Sequence, residues 1–247
     1  MSDKRFSRTQ MLLGVEGIKQ LNNAKVMIIG LGAVGGYVLE ALARSGIGHF
    51  ILVDFDKFEE SNINRQILAL DETLGMKKID VAKQRVLSIN PSAQIETVDI
   101  FVNNDTIDMI LQYSPDFVVD AIDALNSKCC LIQTLTEQKI PFISSMGAAL
   151  KTDPSKIKIG KLSNSKNCSL AKFVRKRLRK RNIDLSQIKC IWSEEQTDLP
   201  EQAIEFDNTD NSTGRIRNTL GSLPTITAIF GLTIANDIIL TLSGYKK

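Results

Sequence analysis

Gly30, Gly32 and Gly35 stand in G-x-G-x-x-G spacing, Asp54 lies 19 residues past Gly35, and Asn62, Asn64 and Arg65 follow about ten residues later. Glycines so spaced permit a tight turn, let the backbone approach an anion and let a helix pack close to its strand. The unpaired N–H groups and positive dipole end of that helix attract phosphate. A carboxylate placed like Asp54 accepts a hydrogen bond from a ribose hydroxyl. Those features alone describe any dinucleotide cradle; the two asparagines and the arginine narrow it. Arginine gives bidentate donors to phosphate oxygens and asparagine neutral ones, which a dehydrogenase does not need and a site handling the phosphates of ATP does. Lys78 follows on a predicted helix, and Asp123 is placed to hold a divalent metal on a pyrophosphate. The set suits attack of a carboxylate on the α-phosphate of ATP, where positioning and charge stabilisation do most of the work.

The elements that must position these groups are legible from apolar periodicity. Residues 24–29 form an apolar run, β-branched at Val26, Ile28 and Ile29, which predicts a buried strand. A helix is predicted over 34–45 and a second strand over 50–53. Residues 57–71 are too irregular for an element. Helices follow over 74–90 (ended by Pro91), 106–112 and 127–138, and strands over 94–99, 117–121 and 142–145. This alternation predicts an α/β fold, a doubly wound and mainly parallel Rossmann-like sheet with helices on both faces. Ligands in such sheets sit beyond the C-terminal strand ends, where residues 30–36, Asp54, Asp123 and Gly147 all fall. Ahead of the first strand, Met11, Leu12, Val15, Ile18 and Leu21 recur at helical spacing after Arg5 and Arg8, predicting a surface helix that covers the sheet edge.

At 247 residues with a net charge of +3, one large domain is expected and bulk charge says little. Cys129, Cys130, Cys168 and Cys190 form no C-x-x-C, and His49 is the one histidine, which argues against a Cys/His zinc site and against Ser-His-Asp or Cys-His catalysis. The polar N-terminus lacks an apolar signal region, so a cytoplasmic, reducing setting with free thiols is expected. Residues 157–162 predict a strand that turns the sheet antiparallel. Residues 172–181, KFVRKRLRKR, hold seven basic residues in ten, either a solvated helix face or a contact for nucleic-acid phosphates. A strand is predicted over 188–193 and a flexible acidic loop over 194–214, with order resuming at 219–225. Residues 223–243 are apolar enough for a membrane span by length, but Asn236, Asp237 and several threonines favour a buried helix in the core or at a dimer interface. No stable membrane insertion is expected, and peripheral association stays open.

The segments RFSRTQMLLG, GLGAVGG, LVDFDKFEESNINRQ, GMKK, INP and VVDAIDALNSK resemble the adenylating domain of the ubiquitin-activating-enzyme superfamily over nearly the whole chain. Bacterial members activate ubiquitin-like sulfur carriers or dehydrate a modified nucleoside of tRNA. The missing paired C-x-x-C motifs, the segment KIPFISSMGAALKTDPSKIKIGKL and the late GSLPTITAIFGL resemble the dehydratase branch. The resemblance implies one adenylating domain over 1–247, with a nucleotide-binding core over 24–150 and an antiparallel C-terminal extension over 151–247. It implies ATP and Mg2+ as cofactors. Gly30, Gly32 and Gly35 would form the nucleotide loop; Asp54, with Asp56 nearby, would bind ribose; Asn62 and Arg65 would contact phosphates. Lys78 would do the same, with adjacent Lys77 as a competitor, and Asp123 would hold Mg2+. Arg8 matches an arginine that reaches the partner subunit's ATP, which implies a homodimer. Each of these has a competing reading as a surface ion-pair residue. The basic run would place Lys172, Arg175, Lys176 and Arg179 against tRNA. Cys190 matches a cysteine of the dehydratases, where a thiol role and a buried strand position both stand. The alanines of Met146-Gly147-Ala148-Ala149 replace glycines and narrow the space there. The implied reaction is ATP-dependent dehydration, by cyclisation, of threonylcarbamoyladenosine at tRNA position 37 through an acyl-adenylate. The alternatives are adenylation of the C-terminus of a ubiquitin-like sulfur carrier, with that carrier or a cysteine desulfurase as partner, and a nicotinamide dehydrogenase or non-catalytic nucleotide-binding module.

Overall fold

The computed structural model of the chain describes residues 4–196, 204–206 and 218–245. Strands β1 (Lys25–Ile29), β2 (His49–Val53), β3 (Gln94–Val98), β4 (Phe117–Asp120), β5 (Phe142–Ser145), β6 (Ile157–Lys161) and β7 (Lys189–Ser193) form one sheet in the order β3-β2-β1-β4-β5-β7-β6. Every pairing is parallel except that of β6 with β7, which is antiparallel as the sequence predicts. Winding reverses beside β1, with β2 and β3 on one side and β4 and β5 on the other, and the crevice at such a reversal is where ligands bind. The register sets Ile29 beside both Val53 and Asp120, and Asp120 beside Ser144, so four strands end at one level.

Alternation along the strands sorts the core into two layers. Val26, Ile28 and Leu52 pack with helices α2 (Gly35–Ser45), α3 (Lys78–Ile89) and α7 (Pro224–Leu242) on one face. Met27, Ile29, Ile51 and Val118 pack with α4 (Ile107–Leu111) and α5 (Leu125–Glu137) on the other. A third cluster joins α5 and α6 (Ser169–Lys180) around Trp192 and Leu178. Residues 204–206 form a further strand, β8 (Ile204–Phe206), which pairs antiparallel with β9 (Asn218–Leu220). The remainder of the loop expected over 194–214, namely 197–203 and 207–214, lies outside the described residues.

Two expectations change. Helix α1 (Ser7–Asn23) is broken at Gly14, where φ is 78° and ψ 172°, so its halves do not share one face. Leu13, Ile18 and Leu21 pack toward the core, whereas Met11, Leu12 and Val15 are 80, 68 and 70% exposed and cover no sheet edge. Helix α3 begins at Lys78 and not at 74, because the preceding backbone pairs with residues 56–58 in the segment that follows β2. Phe58 donates to Met76 O at 3.0 Å, Gly75 to Phe58 O at 2.9 Å and Lys78 to Asp56 O at 3.0 Å. Buried Phe58 anchors that clasp.

Helix α7 is long and apolar enough to cross a membrane by length and composition. Its inner face, Ile226, Phe230, Ile234 and Ile238, is nonetheless buried against α2 and the sheet, in line with a core helix. Gly231 is the crossing point: a Cβ there would meet Val34 O at 2.6 Å and Tyr37 Cβ at 2.7 Å.

Candidate nucleotide site

Each glycine in the loop after β1 is set by a close approach. Gly30 has φ +90° and faces Ala121 O, where a Cβ would come within 2.8 Å. A Cβ on Gly35 would lie 1.8 Å from Gly30 O, so only glycine lets α2 start this close to its strand. In the first turn of α2 the Gly36 N–H donates to Gly32 O at 3.0 Å and the Tyr37 and Val38 N–H groups to Val34 O at 3.1 Å, so the N–H groups free for an anion are those of the loop that leads into the helix, residues 32–35.

Asp54, at the end of β2, is buried and already engaged. Its Oδ2 accepts the Leu31 N–H at 2.6 Å and its Oδ1 the Asp56 N–H at 2.9 Å. The carboxylate therefore fastens the glycine loop to β2, a role that spacing alone does not reveal, and it keeps lone pairs for a ribose hydroxyl. Burial pushes its pKa up, opposed chiefly by the positive charge of Lys78.

The clasp between residues 56–58 and 75–78 delivers Lys78. Its side chain is buried, with Nζ 3.0 Å from Asp56 Oδ2 and 5.9 Å from the centre of the Phe58 ring. Lys77 turns outward instead, with Nζ 2.6 Å from Asp99 Oδ2. Of the two lysines, Lys78 alone faces Asp54 and Asp56.

The run SNINRQ folds as a short 3-10 turn (Glu60–Asn62) and its continuation. Asn62 is buried, its Oδ1 3.4 Å from the Glu59 N–H and its Nδ2 3.3 Å from Ser61 Oγ. Arg65 Nη1 donates to Ser61 O at 2.8 Å and Asn64 Oδ1 at 2.9 Å, which leaves its Nε and Nη2 donors for a ligand. Asn64 Nδ2 in turn donates to Ser222 O at 3.3 Å, joining GSLPT to this turn.

Asp123 follows β4 and is exposed, with no hydrogen bond or ion pair among the described residues. No group of three or more His, Cys, Asp or Glu among those residues could hold a metal. One free carboxylate suits Mg2+, which takes one or two protein carboxylates and fills its other positions with substrate phosphates and water.

Sequence reasoning passed over two features. Asp120, Lys128 and Ser144 are fully buried together: Lys128 Nζ lies 2.7 Å from Asp120 Oδ2, and Ser144 Oγ donates to it at 2.5 Å. Asp120 Oδ1 accepts the Ile122 N–H at 3.1 Å, so this pair sets the turn that carries Asp123. An acid ending a buried strand was the only signal for it. Gln66, beside Arg65, is buried against Gly32, and its Oε1 has no hydrogen-bond partner among the described residues.

Other expected residues lie elsewhere. Arg8 is exposed on α1, two residues past Phe6, whose ring packs on Gly46 at the end of α2 remote from the glycine loop. The chain does not bring Arg8 to its own crevice. Cys190 is buried in β7, and burial, reinforced by nearby Cys168, pushes its thiol up to about 12, which favours the strand-core reading. Ala148 is packed in the core, so it does not narrow the mouth beside Gly147. On α6, Lys172, Lys176 and Arg179 are exposed, whereas Arg175 is half-buried and its Nη1 donates to Ser165 O at 2.8 Å.

With this geometry in place, comparison with known proteins gives a consistent result. The model of the ThiF family matches residues 6–247. The tRNA threonylcarbamoyladenosine dehydratase of Bacillus subtilis is 34% identical over 96% of this chain and 94% of its own length. The Haemophilus influenzae protein of that name is 35% identical over 96% and 92%. The Haemophilus influenzae molybdopterin-synthase adenylyltransferase is 33% identical, over 60% of this chain and 61% of its own length. In three dimensions, the crystal structure of Escherichia coli tRNA N6-threonylcarbamoyladenosine dehydratase in complex with ATP superposes with a TM-score of 0.88 at 29% identity, covering 98% of this chain and 94% of that one.

Proposed function

The chain belongs to the ThiF family, and from that premise we propose that it is an ATP-dependent tRNA-modifying dehydratase that cyclises threonylcarbamoyladenosine at position 37. The extent of the likeness carries this reading. The Bacillus subtilis and Haemophilus influenzae dehydratases match over 96% of this chain and 94 and 92% of their own length, whereas the molybdopterin-synthase adenylyltransferase is matched over 60% of this chain. The whole of 1–247 then acts as one adenylating domain.

The chemistry follows from the crevice. The glycine loop, up to Gly35 at the start of α2, offers N–H groups to the phosphates, and Asp54 accepts from the ribose with Asp56 beside it. Arg65 and Lys78 place cationic donors over the triphosphate, and Asn62 holds the turn that aims Arg65. The threonyl carboxylate attacks the α-phosphorus, an acyl–O–P bond forms and pyrophosphate leaves. The neighbouring carbamoyl group then attacks the acyl carbon, closes the ring and expels AMP, so the oxygen lost from the substrate departs in AMP. Positioning and charge stabilisation suffice for both steps. Asp123 would hold Mg2+, which when bound draws charge from the phosphates.

The exposure of the apolar Met11, Leu12 and Val15 and the distance of Arg8 from its own crevice support a homodimer in which Arg8 serves the other subunit. The setting of this chemistry is cytoplasmic.

The test is incubation with ATP, Mg2+ and tRNA carrying threonylcarbamoyladenosine, followed by nucleoside mass spectrometry. Loss of one water from the nucleoside, with equimolar AMP, is expected. Pyrophosphate exchange that depends on a ubiquitin-like carrier and not on tRNA would select carrier adenylation instead.

A further inference from the structure

The six cationic residues of helix α6, with Arg181 just past its end, sort into two groups with different work. Its sequence, SLAKFVRKRLRK, contains no acid. Ala171, Val174 and Leu178 are buried against the cluster around Trp192. On the flanks of that buried face, arginines bond inward: Arg175 to the Ser165 carbonyl and hydroxyl, Arg177 to Asn126 Oδ1, and Arg181, just past the helix, to Gln133 Oε1 at 2.8 Å. These three staple α6 to α5 and to the turn before it. The other four, Lys172, Lys176, Arg179 and Lys180, are exposed and make no hydrogen bond or ion pair among the described residues. At about 3.6 residues per turn they share one outward face.

One residue on that face does not fit a solvated surface. Phe173 is 52% exposed, and its position on the helix puts it beside Lys176 and Lys180. A duplex backbone would need only the cations, since phosphates dominate that contact. A cationic groove with an aromatic ring is what unpaired nucleotides bind: the charges follow the backbone and the ring stacks on a base. The helix is also in the right place. It starts at Cys168, whose Sγ lies 4.0 Å from Gly147 O at the end of β5, on the same edge of the sheet as the nucleotide crevice. Phe173 is about 7 Å further along the axis.

We propose that Phe173 is a stacking platform for an unpaired base of the RNA, so that α6 takes a single-stranded loop and not a helical stem. This rests on the reading that the protein acts on tRNA, and it adds which part of the RNA meets α6 and by what contact.

The experiment measures binding of three RNAs by the full chain across a salt series: a stem-loop, a single strand of the loop sequence and a blunt duplex of the stem sequence. Phe173→Ala should weaken the first two roughly 5- to 100-fold and leave the duplex unchanged. Its salt slope should equal that of the parent, whereas Lys176→Ala and Lys180→Ala should each lower the slope by roughly 0.7–0.9. Phe173→Leu should bind as poorly as Phe173→Ala, and Phe173→Trp should bind as well as the parent. ATP affinity should be the same in all of them, since none of these residues touches the crevice. Parent-like RNA binding by Phe173→Ala, alongside weakened lysine variants, overturns the stacking proposal and leaves the tRNA reading standing. Full affinity in Phe173→Leu overturns it in favour of an apolar protein contact. Lysine variants that bind all three RNAs like the parent remove α6 from RNA binding altogether.

Discussion

Adjacent residues Lys77 and Lys78 differ in what each touches. Lys77 reaches Asp99 on the surface, while Lys78 lies buried between Asp56 and the Phe58 ring. A cation held at the phosphate site stabilises charge that develops on the leaving pyrophosphate. Lys78→Met should therefore slow ATP-dependent AMP formation roughly 100-fold or more. Lys77→Ala should change it by no more than about twofold, as for most surface substitutions. Equal losses in the two variants, read as single-turnover AMP release, would remove Lys78 from the site. Cys190 gives the opposite kind of expectation. With its thiol pushed up to about 12 from 9.0, the folded chain holds that proton more tightly than the unfolded chain does. Stability is thus unaffected below pH 9 and falls as pH rises from there toward 12. Cys190→Ala should lose that alkaline slope in denaturant titrations, at a cost of about 1 kcal/mol for the small cavity, and should keep its AMP formation. Rapid alkylation of native Cys190 at neutral pH, with an inactive alanine variant, would reinstate a thiol role. At this scale the candidate groups of the crevice were legible in the sequence, because glycine spacing and the SNINRQ run are local. The sequence left open which lysine points in, since Lys77 and Lys78 each find a partner 22 residues away, and it missed the Asp120–Lys128 pair, which forms only when α5 packs back on the end of β4.

The arrangement of elements was legible wherever each strand is buried on both sides. β-Branched runs at 26–29 and 50–53, with amphipathic helices between, admit little but a parallel sheet wound on both faces. Expectations failed where backbone met backbone at long range. The start of α3 moved because residues 75–78 pair with residues 56–58, and α1 divides at Gly14, which periodicity treats as continuous. α7 is the instructive element, since its composition alone fits a membrane, a core or an interface. Gly231 decides how closely it seats on the first turn of α2, which directly follows the glycine loop. Gly231→Ala should force the helices apart and cost about 1–3 kcal/mol, as overpacked cores do. Because the strain falls at Val34 and Tyr37, ATP affinity should drop with it. Leu232→Ala, on the exposed side of the same helix, should leave both unchanged. A destabilised Gly231→Ala protein with undiminished ATP affinity, by calorimetry, would uncouple α7 from the nucleotide loop.

For the whole molecule, the position of Arg8 is the deciding fact. Phe6 packs on Gly46, the left-handed cap that ends α2, while the glycine loop lies at the other end of that helix. Eleven residues of helix span about 16 Å, so Arg8 begins a helix length away from the phosphates of its own chain. Beside it, on the two sides of the break at Gly14, the apolar side chains of Met11, Leu12 and Val15 are exposed, which a monomer would have to leave in water. A two-fold dimer through α1 would bury these side chains on both copies and carry each Arg8 toward its neighbour, so that both crevices draw on both chains. Such shared sites have a signature in mixtures. Arg8→Ala and Arg65→Ala should each be inactive alone. When the two variants are dissociated together and allowed to reassociate at random, half the dimers are mixed, and each mixed dimer contains one crevice with both arginines intact. About one-quarter of the activity of the unmutated protein should return. If Arg8 acts within its own chain, no combination restores a complete crevice, and the mixture should stay as inactive as its components.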